Sequence, residues 1–89
     1  MEIRKITEET KEEYVQVLDR DDVEHIGRKY YRGLALHADP DADVQGAMIW
    51  KLVHARKGEK ITSQIMCFYA KDQEAGSVLL AEYEKEIAT

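Results

Sequence analysis

From Tyr30 onward the apolar residues come in three short runs separated by turn-forming residues, and this punctuation limits the chain to a narrow set of folds. The runs are Tyr30 to Leu36, Gln45 to Val53 and Ile61 to Tyr69. Between them lie Asp39-Pro40-Asp41-Ala42-Asp43 and Arg56-Lys57-Gly58-Glu59, where Gly58 can supply the positive φ that a tight turn needs. Strands joined by turns this short pair antiparallel, because a parallel pair needs a crossover of a dozen or more residues. The middle of the chain therefore reads as a three-stranded meander. In its last strand Ile61, Ser63, Ile65, Cys67 and Tyr69 alternate with Thr62, Gln64, Met66 and Phe68. The second set turns apolar only late, so the end of that strand is expected to be buried on both faces.

The flanks have a different period. Residues 2–6, Glu-Ile-Arg-Lys-Ile, alternate briefly and predict a first strand with Ile3 and Ile6 inward, the spacing of three leaving its register open. Thr10-Lys11-Glu12-Glu13 fits a capping box, and Tyr14, Val17 and Leu18 follow on one helical face. Asp19-Arg20-Asp21-Asp22 interrupts that helix and offers Asp21 or Asp22 as N-cap of a second short one through Val23, Ile26 and Gly27. A last helix is predicted from Asp72, its N-cap, to Ile87, with Ala75, Leu79, Tyr83 and Ile87 at helical spacing. Gly76 sits one turn inside it, a cost of about 0.8–1.0 kcal/mol against alanine. The order β-α-α-β-β-β-α gives an α+β domain in which helices cover a four-stranded, mainly antiparallel sheet. A chain of 89 residues has room for one such core, so residues 1–89 are read as a single small domain.

Charge is sorted along the chain. Residues 1–24 carry nine acids and four bases, residues 25–71 four and eight, and residues 72–89 five and one, which together give the net charge of −5. The bases of the middle segment are scattered between acidic ends, unlike the dense stripe that displaces counterions from nucleic acid. No nucleic-acid partner is expected. No apolar stretch approaches the roughly 20 residues that span a bilayer, and Met1-Glu2-Ile3-Arg4-Lys5 lacks the apolar core of a secretory signal. A cytoplasmic protein without a membrane partner is the expectation.

Most chemistry-bearing residues have a structural reading. Asp39-x-Asp41-x-Asp43 has the opening spacing of a calcium loop, but Val44 replaces its glycine and Trp50 its bidentate glutamate, so a solvated acidic turn is expected and no metal site. Cys67, the one cysteine, lies in an apolar run with no histidine at motif spacing and is expected to be a buried thiol of raised pKa. His25, His37 and His54 are dispersed, and no local pattern unites them into a catalytic set. Trp50, Met48 and Met66 read as core. The junction Phe68-Tyr69-Ala70-Lys71-Asp72-Gln73-Glu74-Ala75-Gly76-Ser77 takes a strand into a helix whose free amides suit an anion. The carboxylates of Asp72 and Glu74 oppose that use, and the residues by themselves favour a self-capped helix.

Taken together, the elements resemble the N-terminal half of the GNAT N-acetyltransferase fold. Gln45-Gly46-Ala47-Met48-Ile49-Trp50 is similar to that family's middle strand, and Ser63 to Tyr69 to its cofactor-side strand. Gly76-Ser77-Val78-Leu79-Leu80 is similar to the end of its pyrophosphate loop and the helix behind it. Of the family's Q/R-x-x-G-x-G/A, the segment from Gln73 keeps the first polar position and Gly76, with Val78 at the last position. The resemblance implies that backbone groups at Phe68 and Ala70 pair with the pantetheine arm of acetyl-CoA, and that amides around Gln73, Gly76 and Ser77 hold its pyrophosphate. It covers nearly all of this chain but only the first half or two-thirds of such a domain. No carboxylate lies in the 45–53 strand to act as the family's usual general base. The expectation is an acetyltransferase-like domain that is incomplete, not catalytic alone, and retains weak acetyl-CoA or CoA binding. The alternative is a homodimeric interaction module without a cofactor. The expected partner is a second copy or the missing C-terminal half.

Overall fold

In a computed structural model, which describes residues 1–38, 43–53 and 62–88, the alternating middle of the chain forms a sheet with helical segments on both faces. The order is β1 (Glu2–Lys5), a 3-10 turn (Lys11–Tyr14), α1 (Arg20–Glu24), β2 (Tyr31–His37), β3 (Val44–Val53), β4 (Thr62–Ala70) and α2 (Gln73–Ala88). The four strands lie in the order β1-β2-β3-β4 and every neighbouring pair is antiparallel. The α+β class and the meander agree with the sequence reading. The turn centred on residues 56–59, His54 and Ile61 lie outside the described residues, as do Asp39 and Asp41 of the acidic turn.

One face of β2 and β3 carries Gly33, Ala35, Ala47 and Ile49, and the N-terminal segment settles there through Ile6, Tyr14, Leu18, Val23 and Ile26. A Cβ at Gly33 would come within 3.0 Å of Ile6 and 3.2 Å of Ile26, so the close approach depends on glycine. The other face carries Leu34, Met48 and Trp50, and α2 covers it with Leu79 and Tyr83. The Trp50 and Tyr83 rings meet edge to face with centroids 5.1 Å apart, and the Tyr83 hydroxyl hydrogen-bonds Ser63 of β4. Ile3 and Ile6 both point inward, but to opposite faces, as an odd spacing from an extended segment requires.

The helical segments begin differently from the sequence reading. The Thr10 hydroxyl accepts the Thr7 amide at 3.0 Å instead of capping residues further on, so the Thr10–Glu13 capping box does not form and residues 11–14 make only a 3-10 turn. α1 is capped by Asp19, not by Asp21 or Asp22. Asp19 is extended, and its carboxylate accepts the amides of Asp21 and Asp22 at 2.9 and 3.3 Å. Asp72 does cap α2, accepting the Ala75 amide at 2.8 Å. Ala75, Leu79 and Tyr83 are buried as expected, but Ile87 at the next helical step is exposed.

β4 departs most. Ile49 pairs with Cys67 but Trp50 pairs with Ile65, so Met66 is an extra residue, a bulge that reverses the alternation. Ser63 and Ile65 therefore share the α2 face with Phe68, while Cys67 and Tyr69 pack toward the N-terminal segment. The end of β4 is not buried on both faces. Met66 and Phe68 are 37% and 41% exposed, since the strand is the outermost of the described sheet. Met66 thus leaves the core that holds Met48 and Trp50.

Candidate functional site

The C-terminal end of β4 and the first turns of α2 form one continuous surface. The Lys71 amide donates to the Gln45 carbonyl at 2.8 Å, which fixes the phase of the ladder: Lys71 and Tyr69 direct their backbone groups at β3, and Phe68 and Ala70 direct theirs outward. Above this edge, Gly76 comes close. A Cβ there would lie 3.4 Å from the Ala70 side chain and 3.8 Å from the Phe68 ring, ordinary contact distances. Gly76 is buried for this reason, whereas Gln73 and Ser77 on the same two turns are exposed. Beneath them Gly46 lets Leu79 close over the β3–β4 pair, since a Cβ there would meet the Tyr69 carbonyl at 3.1 Å and Leu79 at 3.4 Å.

Of the residues singled out from the sequence, Phe68, Ala70 and Gly76 are thus brought together, and Gln73 and Ser77 stand on the exposed start of α2. The electrostatics of that start are mixed. The dipole leaves partial positive charge at its amides, but Asp72 has taken the Ala75 amide and brings a carboxylate to the helix end, with Glu74 beside it.

A second concavity lies on the opposite face of β4, a cavity of about 330 Å³ bordered by Gln16, Asp43, Gln45, Tyr69 and Lys71. The sequence reading missed it. Its walls come from three separated segments, and only the position of Lys71 directly after the strand hinted at a polar rim.

Among the described residues the groups capable of nucleophilic or acid–base chemistry meet in separate pairs, Cys67 near Asp22 and His37 with Tyr14. Burial pushes the Cys67 thiol up to about 11, with the nearby Asp22 carboxylate acting in the same direction, so it is a poor nucleophile near neutrality. His37 is buried and shares a 2.9 Å hydrogen bond with the Tyr14 hydroxyl, whose pKa is raised by burial first and by Glu13 second. His25 bonds the Asp21 carbonyl and lies against Tyr31, at the other end of β2 from His37, roughly 20 Å away at about 3.3 Å per residue. Among the described residues no three His, Cys, Asp or Glu side chains are grouped so as to hold a metal ion, and no helix is long and apolar enough to cross a membrane. No family model, curated protein or solved structure matches the chain.

Proposed function

We propose that the chain is the cofactor-side portion of an acetyltransferase-like, GNAT-related domain, which binds CoA or acetyl-CoA weakly along the outer edge of β4 and does not transfer the acetyl group by itself. The observation that carries this reading is the convergence of the outward backbone groups of Phe68 and Ala70 with Gly76 at the start of α2. An extended amide-bearing arm is matched by such an edge as a further strand would be, and a pyrophosphate by the exposed helix start at Gln73 and Ser77. The absence of Asp and Glu from β3 and the alkaline Cys67 supply the reason for inactivity alone. The acidic side chains of Asp72 and Glu74 weaken phosphate binding, which sets the expected affinity near the millimolar range, about −4 kcal/mol.

Calorimetric titration and thermal shift with CoA and acetyl-CoA test this. Saturable heat that Gly76→Glu abolishes is the expected result. No heat and no shift at millimolar ligand removes the cofactor, and acetyl transfer to an amine by the chain alone removes the claim of inactivity.

A further inference from the structure

We propose that β4 is a self-pairing edge: two copies of this chain join antiparallel along it about a two-fold axis, making one sheet continuous across both. The nine residues Thr62–Ala70 contain no Asp, Glu, Lys or Arg, and Ile65, Met66 and Phe68 are 42%, 37% and 41% exposed. Edge strands of soluble proteins normally carry charge or proline to stop such pairing, and among the described residues of β4 the Met66 bulge is the one such device. It divides the strand without covering the outward backbone groups of Phe68 and Ala70.

The occupant follows from self-complementarity. Antiparallel pairing of two neutral strands sets no like charges opposite one another. Pairing β4 with the β1 edge of another copy would instead oppose it to Glu2, Arg4 and Lys5 over only four residues, and would be a heterologous contact in place of a self-complementary one. A strand of nine residues is about 30 Å long and a sheet with its side chains about 10 Å thick, so the edge offers roughly 300 Å² per copy and roughly 600 Å² for the pair, the size of a weak, reversible contact. Leu80, exposed and one turn beyond Gly76, extends the apolar strip onto α2.

A second copy would take the same outward groups of Phe68 and Ala70 as the proposed CoA arm, so the two occupants exclude each other, and sedimentation equilibrium of the full chain without CoA, from micromolar to millimolar, tests the pairing separately from cofactor binding. A monomer–dimer equilibrium is expected, with amide exchange at Phe68 and Ala70 slowing as concentration rises. Ile65→Lys and Met66→Lys, both at exposed positions, should each raise the dissociation constant at least tenfold, while Lys5→Glu on the opposite edge leaves it unchanged. Circular dichroism establishes that each variant is folded, and either folded variant suffices. A chain that stays monomeric at millimolar concentration overturns the proposal. So does a dimer that survives the lysine at β4, or one in which Phe68 and Ala70 exchange no more slowly than in the monomer.

Discussion

The two edges of the sheet are built by opposite rules. β1 is four residues long, three of them charged, with Arg4 and Glu2 in an exposed 3.1 Å ion pair. Behind it, His37, the register partner of Glu2, is locked to Tyr14. β4 is more than twice as long, uncharged, and partly apolar on its surface. Its inner side is held through α2, by Leu79 over Gly46 and by Tyr83 on Ser63. An edge that is to remain an edge is short and charged, while one that receives a ligand or a strand keeps its backbone available. The contrast favours β4 over β1 as the edge on which the proposed ligand or strand would add.

Three measurements break or sharpen this contrast. Leu79→Ala should have the largest effect, a loss of about 2–5 kcal/mol in urea denaturation, because Leu79 is fully buried between α2 and the sheet. Hydrogen exchange in that variant should quicken in β4 before β1. Equal loss at both edges would show that α2 stabilises the sheet as a whole rather than its β4 side. Tyr14→Phe should cost about 1–3 kcal/mol by leaving the buried His37 without its hydroxyl partner, and the exchange it accelerates should lie at the β1–β2 pair. Equal exchange in β4 would contradict separate anchoring. The smallest effect concerns alkaline pH. The folded thiol of Cys67 holds its proton to about 11 against an ordinary value of 9.0, so its contribution to stability is complete below pH 9 and is lost as the pH rises through 11. Denaturation at pH 8 and pH 11 should show a larger alkaline loss in the wild type than in Cys67→Ala. An identical loss would mean that Cys67 is not shielded in the β4 interior.

What was legible in the sequence was whatever depends on periodicity. The meander, the Asp72 cap and the burial of Leu79 and Tyr83 follow from alternation, a capping side chain and helical spacing. What was illegible depends on a competing partner or on a single register step. Thr10 looked like a cap until the Thr7 amide claimed its hydroxyl, and Asp19 outcompeted Asp21 and Asp22 because its extended backbone aims the carboxylate at both of their amides. For the site, the resemblance implied Phe68 and Ala70 for one part of a ligand and Gln73, Gly76 and Ser77 for another, while the approach of Gly76 to Phe68 and Ala70 and the phase that turns those two outward depend on packing and on the Lys71–Gln45 hydrogen bond. The cavity beside Tyr69 draws on segments more than twenty residues apart, which no local pattern connects.

The extra residue at Met66 has a consequence for how the strand tolerates change. It acts as a switch of parity: everything after it faces the opposite way from what an unbroken count would give. Deleting that one position would bring Ile65 next to Cys67 and restore an unbroken alternation, with Ile65 still opposite Trp50 and Cys67 still opposite Ile49. Ser63, Ile65 and Phe68 would keep the α2 face and Cys67 and Tyr69 the other, so the deletion would straighten the strand without turning any residue over. The bulge therefore lets β4 gain or lose one residue at this point while the pairings on either side of it hold.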